Sequence, residues 1–132
     1  TVIILIKNNN RILLARNKNW KQHLYSCIAG FCEPNESLEQ TVIREAYEEV
    51  GLKLKNVSYL FSQFWPFANN LMIGFEAMSS SAKLKINKSE IEDAIWVTRK
   101  ELLSLQNKKK IILPKKYAIA DSLIAHWLKK LN

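Results

Sequence analysis

Apolar and polar residues alternate along the chain in blocks that predict several short strands. Aliphatic runs at residues 2–6 and 11–15 flank the asparagines at positions 8–10. Because asparagine tolerates the positive φ angles of a tight turn, these two runs predict a β-hairpin. Further strands are predicted at residues 25–28, 52–61, 71–78 and 95–97, with an aromatic segment, residues 62–70, as the connection between two of them.

The strongest helical pattern begins at Ser37. Ser37 and Gln40 have the spacing of a capping box, and apolar residues then recur every four positions until Gly51, which ends the predicted helix. A second helix is predicted from Ala120, with an apolar stripe formed by Leu123, Ile124, Trp127, Leu128 and Leu131. Strands and helices in this order, without regular βαβ alternation, predict an α/β fold in which helices sandwich a mixed sheet.

Composition limits the class of protein. A chain of 132 residues with 48% hydrophobic and 24% charged residues is typical of one soluble globular domain. Its apolar runs are far shorter than a membrane-spanning helix requires, so we expect no membrane partner. Two cysteines, Cys27 and Cys32, are too few for a four-thiolate zinc site. We therefore expect no zinc site within this chain and a reducing, cytoplasmic location.

Charge is distributed unevenly. The net charge of +8 favours an anionic partner such as a nucleotide or a nucleic acid. In contrast, six of the twelve acidic residues lie within residues 33–49, where Arg44 is the only basic residue. Within the predicted helix, Glu45, Glu48 and Glu49 project from the side opposite its apolar stripe.

Such crowding of carboxylates has two explanations. Like charges at these spacings destabilise a helix by roughly 0.2–0.5 kcal/mol per pair unless cations bind there, and oxygen-rich clusters suit Mg²⁺ that bridges to a diphosphate. Alternatively, the residues form a solvated acidic face in which Arg44 pairs with Glu48. The helix residues alone leave both explanations open.

The surrounding 23 residues supply a motif. Gly30, Glu36, Arg44-Glu45-Ala46, Glu48-Glu49 and Gly51-Leu52 agree at all nine specified positions with the pattern G-x5-E-x7-R-E-U-x-E-E-x-G-U, in which U is bulky or aliphatic. The chain therefore resembles the Nudix hydrolases. The resemblance implies an α/β/α sandwich with a mixed sheet and hydrolysis of a nucleoside diphosphate derivative with Mg²⁺ or Mn²⁺.

The resemblance also implies roles for individual residues. Glu45 and Glu49 match the metal ligands, and Ala29 matches a position that supplies a backbone carbonyl to the metal. Glu48 matches a third carboxylate that supports the metals or the water. Arg44 is expected to orient Glu48 or a neighbour rather than to touch the substrate. Glu36 is expected to make a structural ion pair with Arg44 that fixes the loop to the helix.

A remote carboxylate should complete the metal site, because one helix covers only one side of an ion cluster. The candidates are Glu90, Glu92 and Asp93, which precede a predicted strand. Glu90 matches the downstream acidic ligand of a segment similar to K-E-L-x-E-A-x-W, and we expect it to be the ligand. We expect Glu92 to face solvent.

The aromatic segment, residues 62–70, narrows the range of possible substrates. It is similar to the array SQPWPFPxS that follows the motif in NADH pyrophosphatases, although Phe64, Ala68 and Asn70 replace two prolines and a serine. The resemblance implies substrate contacts by Gln63, Phe64, Trp65, Pro66, Phe67, Ala68, Asn69 and Asn70. Without it, the three aromatic rings would be interpreted as ordinary core residues.

Other expectations follow from the same resemblance. Phe31 matches a ring that stacks on a nucleotide base, and Ala120 matches a backbone contact to the ligand. The subfamily implies a homodimer. Because Thr1 opens directly on a strand, we expect residues 1–132 to be the C-terminal catalytic part of a longer chain.

The sequence thus predicts cleavage of NADH or NAD⁺ at the diphosphate, giving AMP and nicotinamide mononucleotide. The alternative is a Nudix hydrolase for ADP-ribose, another nucleoside diphosphate derivative or NAD-capped RNA. Lysines at positions 108–110, 115 and 116 would suit an RNA backbone, or they form a solvated loop. A nucleotide sensor without activity is disfavoured, because all three motif carboxylates are present.

Overall fold

The first aliphatic run forms the centre of a six-stranded sheet. The computed structural model describes residues 1–130 of the chain. Its strands, in chain order, are β1 (Val2–Asn8), β2 (Arg11–Asn17), β3 (Ile28–Gly30), β4 (Leu54–Trp65), β5 (Asn70–Ser79) and β6 (Ile91–Thr98). Its helices are α1 (Leu38–Val50), α2 (Arg99–Asn107) and α3 (Ile119–Lys130). None of the helices within residues 1–130 is long and apolar enough to span a membrane.

The sheet is mixed because β1 pairs in parallel with β5, whereas the other strand pairs are antiparallel. The strands follow the order β4-β5-β1-β2-β6. Along its other edge, β1 pairs first with β3 and then with β2, so that Ile3 lies opposite Ala29 and Lys7 opposite Ile12. This branching brings the end of β3, at Gly30, beside the middle of the sheet.

Alternate residues of β1 enter two separate cores. Val2, Ile4 and Ile6 pack with the apolar stripe of α1, and Ile3 and Leu5 pack on the opposite face with α2 and α3. The second core also contains Cys27, which is buried, whereas Cys32 is exposed. The α/β fold with a mixed sheet between layers of helices, predicted from the sequence, is confirmed.

Helix α1 begins and ends where the sequence predicts. The Gln40 N–H donates to Ser37 Oγ (3.1 Å), and the Ser37 N–H donates to Gln40 Oε1 (2.8 Å), which completes the capping box. At the other end, Gly51 adopts the left-handed conformation (φ 71°), and its N–H donates to the Tyr47 carbonyl (3.0 Å). These caps fix the length of the helix that carries the acidic motif.

Several element boundaries differ from the predictions. The strand predicted at residues 25–28 begins only at Ile28, because Leu24 and Ser26 form isolated bridges to distant segments. The strands predicted at 52–61 and 95–97 are longer, since β4 reaches Trp65 and β6 begins at Ile91. Most of the aromatic segment 62–70 is therefore strand, and only Pro66–Ala68 form a short 3-10 turn.

The helices also require corrections. Helix α2, which begins with a capping box at Thr98 and Glu101, was not predicted, because Leu102 is its only buried residue among those described. Helix α3 was predicted, and it begins one residue earlier, at Ile119. Leu131, which was predicted to extend its apolar stripe, lies outside the described residues.

Replacement of Gly51 by alanine should lower the free energy of unfolding by about 1–2 kcal/mol, because a residue with a Cβ is strained in the left-handed region. Urea unfolding would measure the loss. Gly51→Asn is the matched control, since asparagine tolerates this region but brings the same Cβ to within 2.7 Å of Lys85 Cβ. If the Asn variant loses less free energy of unfolding than the Ala variant, the cause is the strained φ angle. If both variants lose the same amount, the cause is the close contact of the new Cβ with Lys85. An unchanged Gly51→Ala variant would contradict both.

Candidate active site

Two carboxyl groups of α1 lie against the end of β3. Glu45 and Glu49 are one helical turn apart, and both are buried although they are ionisable. Gly30 makes room for the first of them, because a Cβ built on Gly30 would overlap the Glu45 carboxyl. The Glu45 carboxyl can therefore occupy its position only because residue 30 is a glycine.

Burial makes this position electrostatically costly. It is the main cause that raises the pKa of Glu45 above its ordinary value, and the adjacent Arg44 guanidinium opposes the shift. The pKa of Glu49 is also raised, first by burial and then by the negative charges of Glu45 and Glu90. A bound cation would relieve both effects.

Glu90 reaches this site from another part of the chain. The segment before β6 is attached to the end of α1, where the Asn87 N–H donates to the Glu49 carbonyl (2.9 Å). The Glu90 N–H donates to the Asn87 carbonyl (3.1 Å), and the Glu90 carboxyl lies within hydrogen-bonding reach of the Glu49 carboxyl. We call Glu45, Glu49 and Glu90 the carboxylate cluster.

The other two candidates for a remote ligand have different partners. Glu92 is largely exposed and pairs with Arg16 at 3.2 Å. Asp93 accepts a hydrogen bond of 2.5 Å from the Tyr25 hydroxyl. Burial, followed by this hydrogen bond and the charge of Asp93, raises the pKa of Tyr25 to about 12. Of the three candidates, Glu90 is the one beside Glu49.

The carboxylate cluster fits a hard divalent cation. Its oxygen donors are those that Mg²⁺ and Mn²⁺ prefer, and two of them are buried with raised pKa values. A small cavity of about 60 Å³ adjoins Glu49 and is also lined by Ala29. Among residues 1–130, no three acidic, thiol or imidazole groups are already arranged to hold one ion, so the cluster supplies suitable donor atoms and not a formed ligand sphere.

Arg44 ties the loop after β3 to the helix. Its Nε and Nη2 donate to the two carboxyl oxygens of Glu36 (2.7 and 3.0 Å), which confirms the predicted ion pair. Nη2 also donates to the Phe31 carbonyl (2.9 Å). Nη1 contacts Glu45 (2.9 Å) and the more exposed Glu48 (3.2 Å). One guanidinium thus positions the loop and two of the motif carboxylates.

Glu36 is fixed as an acceptor of several hydrogen bonds. The Arg44 guanidinium is the main reason that its pKa falls to about 2, and the Glu33 N–H and the Thr41 hydroxyl contribute in turn. The distances to these two donors are 3.1 and 2.7 Å. Glu36 therefore remains ionised well below neutral pH.

The residues of the aromatic segment differ in their exposure and in their contacts. Phe64 and Phe67 are 57% and 85% exposed, so neither is a core residue. Trp65 is half-buried, and its ring contacts that of Phe67 edge to face at 5.3 Å between centres. Pro66 and Ala68 lie in the 3-10 turn, which Asn69 ends in the left-handed conformation. Asn70 donates to the Thr1 hydroxyl.

Trp65 lines a cavity of about 200 Å³ on the face of the sheet that carries α3. Two other predicted residues, Ala29 and Ala120, line it as well. We call it the aromatic cavity; its lining consists of Ile3, Trp20, Ser26, Cys27, Ala29, Trp65, Met72, Pro114, Ala118, Ile119 and Ala120.

Of the ten predicted substrate contacts, only Trp65 and Ala120 line the aromatic cavity; the other eight do not, and they are Phe31, Gln63, Phe64, Pro66, Phe67, Ala68, Asn69 and Asn70. Gln63 donates from Nε2 to the Tyr117 carbonyl (2.7 Å) and lines a different cavity, beside Phe61 and Ser122. Its Oε1 is buried and has no hydrogen-bond partner in the described part of the chain. Phe31 is 72% exposed at the start of the loop held by Arg44. In this structure neither side chain faces the cavity that Trp65 lines.

Trp20 was not predicted as a site residue. It lies in the loop between β2 and β3, where Arg16 Nη2 donates to its carbonyl (3.0 Å). Trp20 lines both the aromatic cavity and the small cavity next to Glu49. The available signal was an isolated tryptophan in an otherwise polar loop, since such a ring needs an apolar neighbour that the loop does not supply.

Comparisons with known proteins agree with this geometry. The family model described as NUDIX domain matches residues 1–120. The Nudix domain of NrtR from Shewanella oneidensis, solved with ADP ribose, has 19% sequence identity and a TM-score of 0.77, with coverage of 99% of this chain and 86% of that one. A Nudix family hydrolase from Clostridium perfringens has 18% identity and a TM-score of 0.74, covering 99% and 96%. At these identities the two structures show the fold alone.

Curated relatives are more similar in sequence. Human NAD-capped RNA hydrolase NUDT12 is 40% identical over 96% of this chain and 28% of its own length. Mouse mitochondrial NAD(P)H pyrophosphatase NUDT13 is 41% identical over 96% and 40%. NAD-capped RNA hydrolase NudC from Chromobacterium violaceum is 40% identical over 95% and 44%. The chain thus spans less than half the length of these relatives. With the motif in place, the sheet between helices and the family match over 120 residues, the chain belongs to the Nudix family.

Proposed function

We propose that this chain hydrolyses the diphosphate of NADH or NAD⁺. Water adds across one bridging P–O bond, and the products are AMP and nicotinamide mononucleotide, which is in its reduced form when the substrate is NADH. One observation carries the proposal: the small cavity at Glu49 and the aromatic cavity share Trp20, Cys27 and Ala29 in their linings. A charged diphosphate and a flat ring attached to it would find matching surfaces side by side.

The carboxylate cluster and the Ala29 carbonyl would hold Mg²⁺ or Mn²⁺. When bound, such an ion neutralises the charge on the phosphate oxygens and activates the attacking water. Glu45 and Glu49 are held on a capped helix, and Glu90 approaches from the segment before β6. Carboxylates from two sides of the site would thus face one diphosphate.

Other residues of the chain position these groups. Glu48 is the most exposed of the motif carboxylates, with a side-chain exposure of 54%, and it is the one that solvent reaches most easily. We propose that Glu48 orients the attacking water or accepts a proton from it. Arg44 is a positioning residue, because its guanidinium holds Glu45 and Glu48 while Glu36 holds Arg44.

The second candidate function is the same hydrolysis reaction on a different substrate. NUDT12 and NudC are named NAD-capped RNA hydrolases, and NrtR was solved with ADP ribose. The net charge of +8 is compatible with a polyanion as well as with a small dinucleotide. NAD-capped RNA is therefore the second candidate, and it requires the same bond to be cleaved.

Two further proposals concern the setting of the chain. Both cysteines are unpaired, and Cys32 is exposed, which supports a reducing compartment such as the cytoplasm. The resemblance to NADH pyrophosphatases supports a homodimer. Exposed aromatic rings at Phe31, Phe64 and Phe67 are consistent with a second copy nearby.

Replacement of Glu49 or Glu90 by glutamine should lower kcat for NADH at least about 100-fold, since each removes a charge that would hold the metal. Steady-state assays with Mg²⁺ measure this, and circular dichroism checks the fold. The matched controls are Glu39→Gln, on the same helix, and Glu92→Gln, two residues from Glu90, because both side chains are exposed. Full activity in either test variant would contradict the ligand assignment.

Acid should weaken the Arg44–Glu36 pair. Because the folded-state pKa of Glu36 is lowered from 4.5 to about 2, the pair stabilises the protein above pH 4.5 and this contribution is lost as the pH falls towards 2. Glu36→Gln should therefore be less stable than the wild type near neutral pH, and the difference should shrink in acid. Thermal unfolding at several pH values measures it, with Glu39→Gln as the control. A difference that does not change with pH would reject the ion pair as its cause.

A substrate panel tests the proposed specificity. NADH should be hydrolysed with a kcat/KM roughly tenfold or more above that of ATP, because ATP lacks the second ring that the aromatic cavity would bury. ADP-ribose, diadenosine polyphosphates and NAD-capped RNA complete the panel, each with Mg²⁺ and with Mn²⁺. Equal rates for ADP-ribose and NADH would mean that nicotinamide is not recognised. A preference for ATP would overturn the proposed substrate and leave the Nudix chemistry in place.

A further inference from the structure

Two parts of the proposed substrate site come from segments outside the acidic helix. Trp20, in the loop between β2 and β3, lines both the small cavity at Glu49 and the aromatic cavity. Glu90, just before β6, supplies one carboxyl of the carboxylate cluster. Neither segment lies within the motif at residues 30–52, so contacts outside the motif fix the tryptophan relative to the carboxyl.

The side chain of Arg16 joins the Trp20 loop to β6. It leaves β2 next to the end of the strand and is largely buried, with a side-chain exposure of 13%. Its Nη2 donates to the Trp20 carbonyl (3.0 Å), and its Nη1 donates to the Lys21 carbonyl. Nη2 also contacts the Glu92 carboxylate at 3.2 Å. One guanidinium thus holds two consecutive carbonyls of the loop and one side chain of β6.

The same loop is bonded directly to the Glu90 backbone. The Lys18 N–H donates to the Glu90 carbonyl (3.1 Å). Two residues further along, the Trp20 N–H donates to the Asn17 carbonyl (3.1 Å), which closes a turn around Lys18. A shift of this turn would therefore move Trp20 and release the Glu90 backbone at the same time.

A β-bulge explains why Arg16 meets β6 at this point. Arg16 lies opposite Asp93, and the register then shifts, so that Glu92 is left without an opposite residue in the described part of β2. Ile91 and Ala94 consequently pack in the same core, beneath α1, although strict alternation would put residues three apart on opposite faces. The bulge therefore turns the start of β6 towards α1, and its extra residue pairs with Arg16.

We propose that Arg16 is a positioning residue for the hydrolysis, which holds the Trp20 wall of the aromatic cavity and the Glu90 segment in one arrangement. Arg16 donates to backbone carbonyls, so it acts through the loop at residues 17–21 and not by contact with the substrate. This inference rests on the proposed function, because it takes Trp20 and Glu90 to face the same dinucleotide. The contribution of Glu92 is small, since its carboxylate is 54% exposed and a glutamine there would keep an oxygen that accepts from Arg16.

The test replaces Arg16 by methionine, which is unbranched and has no donor groups. KM for NADH should rise roughly tenfold, and kcat at saturating Mg²⁺ should change by less than about threefold, because the cavity wall shifts while the motif helix keeps its contacts. A residue that only stabilises the fold would act differently, since a smaller folded fraction lowers the apparent kcat and leaves KM unchanged. The matched control is Arg11→Met on the same strand, where the guanidinium donates to Asn8 (2.8 Å) and lies over the Trp96 ring.

Two further variants show whether the effect passes through the loop. Arg16→Lys should keep most of the rise in KM, because one ammonium group does not reproduce the fork of the guanidinium that spans two carbonyls and a carboxylate. In a Trp20→Ala background, Arg16→Met should raise KM by less than about twofold, since the wall that it positions is already absent. Full rescue by lysine, independent effects of the two substitutions, an unchanged KM in Arg16→Met or an equal rise in Arg11→Met would each overturn the proposal.

Hydrogen exchange, measured by NMR, separates a failure of this inference from a failure of the proposed function. The Lys18 amide proton, which is bonded to the Glu90 carbonyl, should exchange at least roughly tenfold faster in Arg16→Met than in Arg11→Met. Equal exchange in the two variants would overturn the positioning role even if NADH is a substrate. Faster exchange in Arg16→Met, together with no hydrolysis of NADH by the wild type, would support the link through the loop and reject the proposed function.

Discussion

The rest of the site depends on keeping two ionisable groups buried against each other. Glu45 occupies the space that Gly30 leaves open, Glu49 lies one turn further along the helix, and burial disfavours the charge that each of them would need to bind a cation. The Arg44 guanidinium offsets part of this cost from one side. The motif spacing thus describes a local electrostatic balance between a glycine, a buried pair of acids and the guanidinium beside them.

Much of this balance could be predicted because it is local in sequence. The capping box at Ser37, the left-handed end at Gly51 and the Arg44–Glu36 pair all lie within the same short segment, so periodicity and spacing carry the information. Helix α2 was missed for the opposite reason. Its apolar stripe consists only of the buried Leu102 and the partly buried Leu105, and nine residues are too few for that spacing to recur.

The remote parts of the site were harder to predict, since they depend on tertiary contacts. Glu90 could be selected only through a resemblance, and the hydrogen bond from Asn87 to the Glu49 carbonyl supplies the physical reason for its position. Trp20 reaches the cavity through the loop between β2 and β3, which has no hydrophobic pattern. The sequence predicts a connecting segment for Phe64 and Phe67. In the structure, Phe64 lies on β4 where this strand extends beyond the core, and Phe67 lies in the 3-10 turn that follows.

The parallel pairing of β1 with β5 has a consequence for how the chain folds. Val2 lies opposite Ile73 and Lys7 opposite Met78, so the central ladder joins residues about seventy positions apart. Both cores contain side chains of β1, and neither is complete until β5 is in place. Closing so long a loop costs conformational entropy before the contacts between β1 and β5 can compensate for it. Because α1 lies between these two strands in the chain, the acidic motif is synthesised before the central parallel pair of the sheet can form.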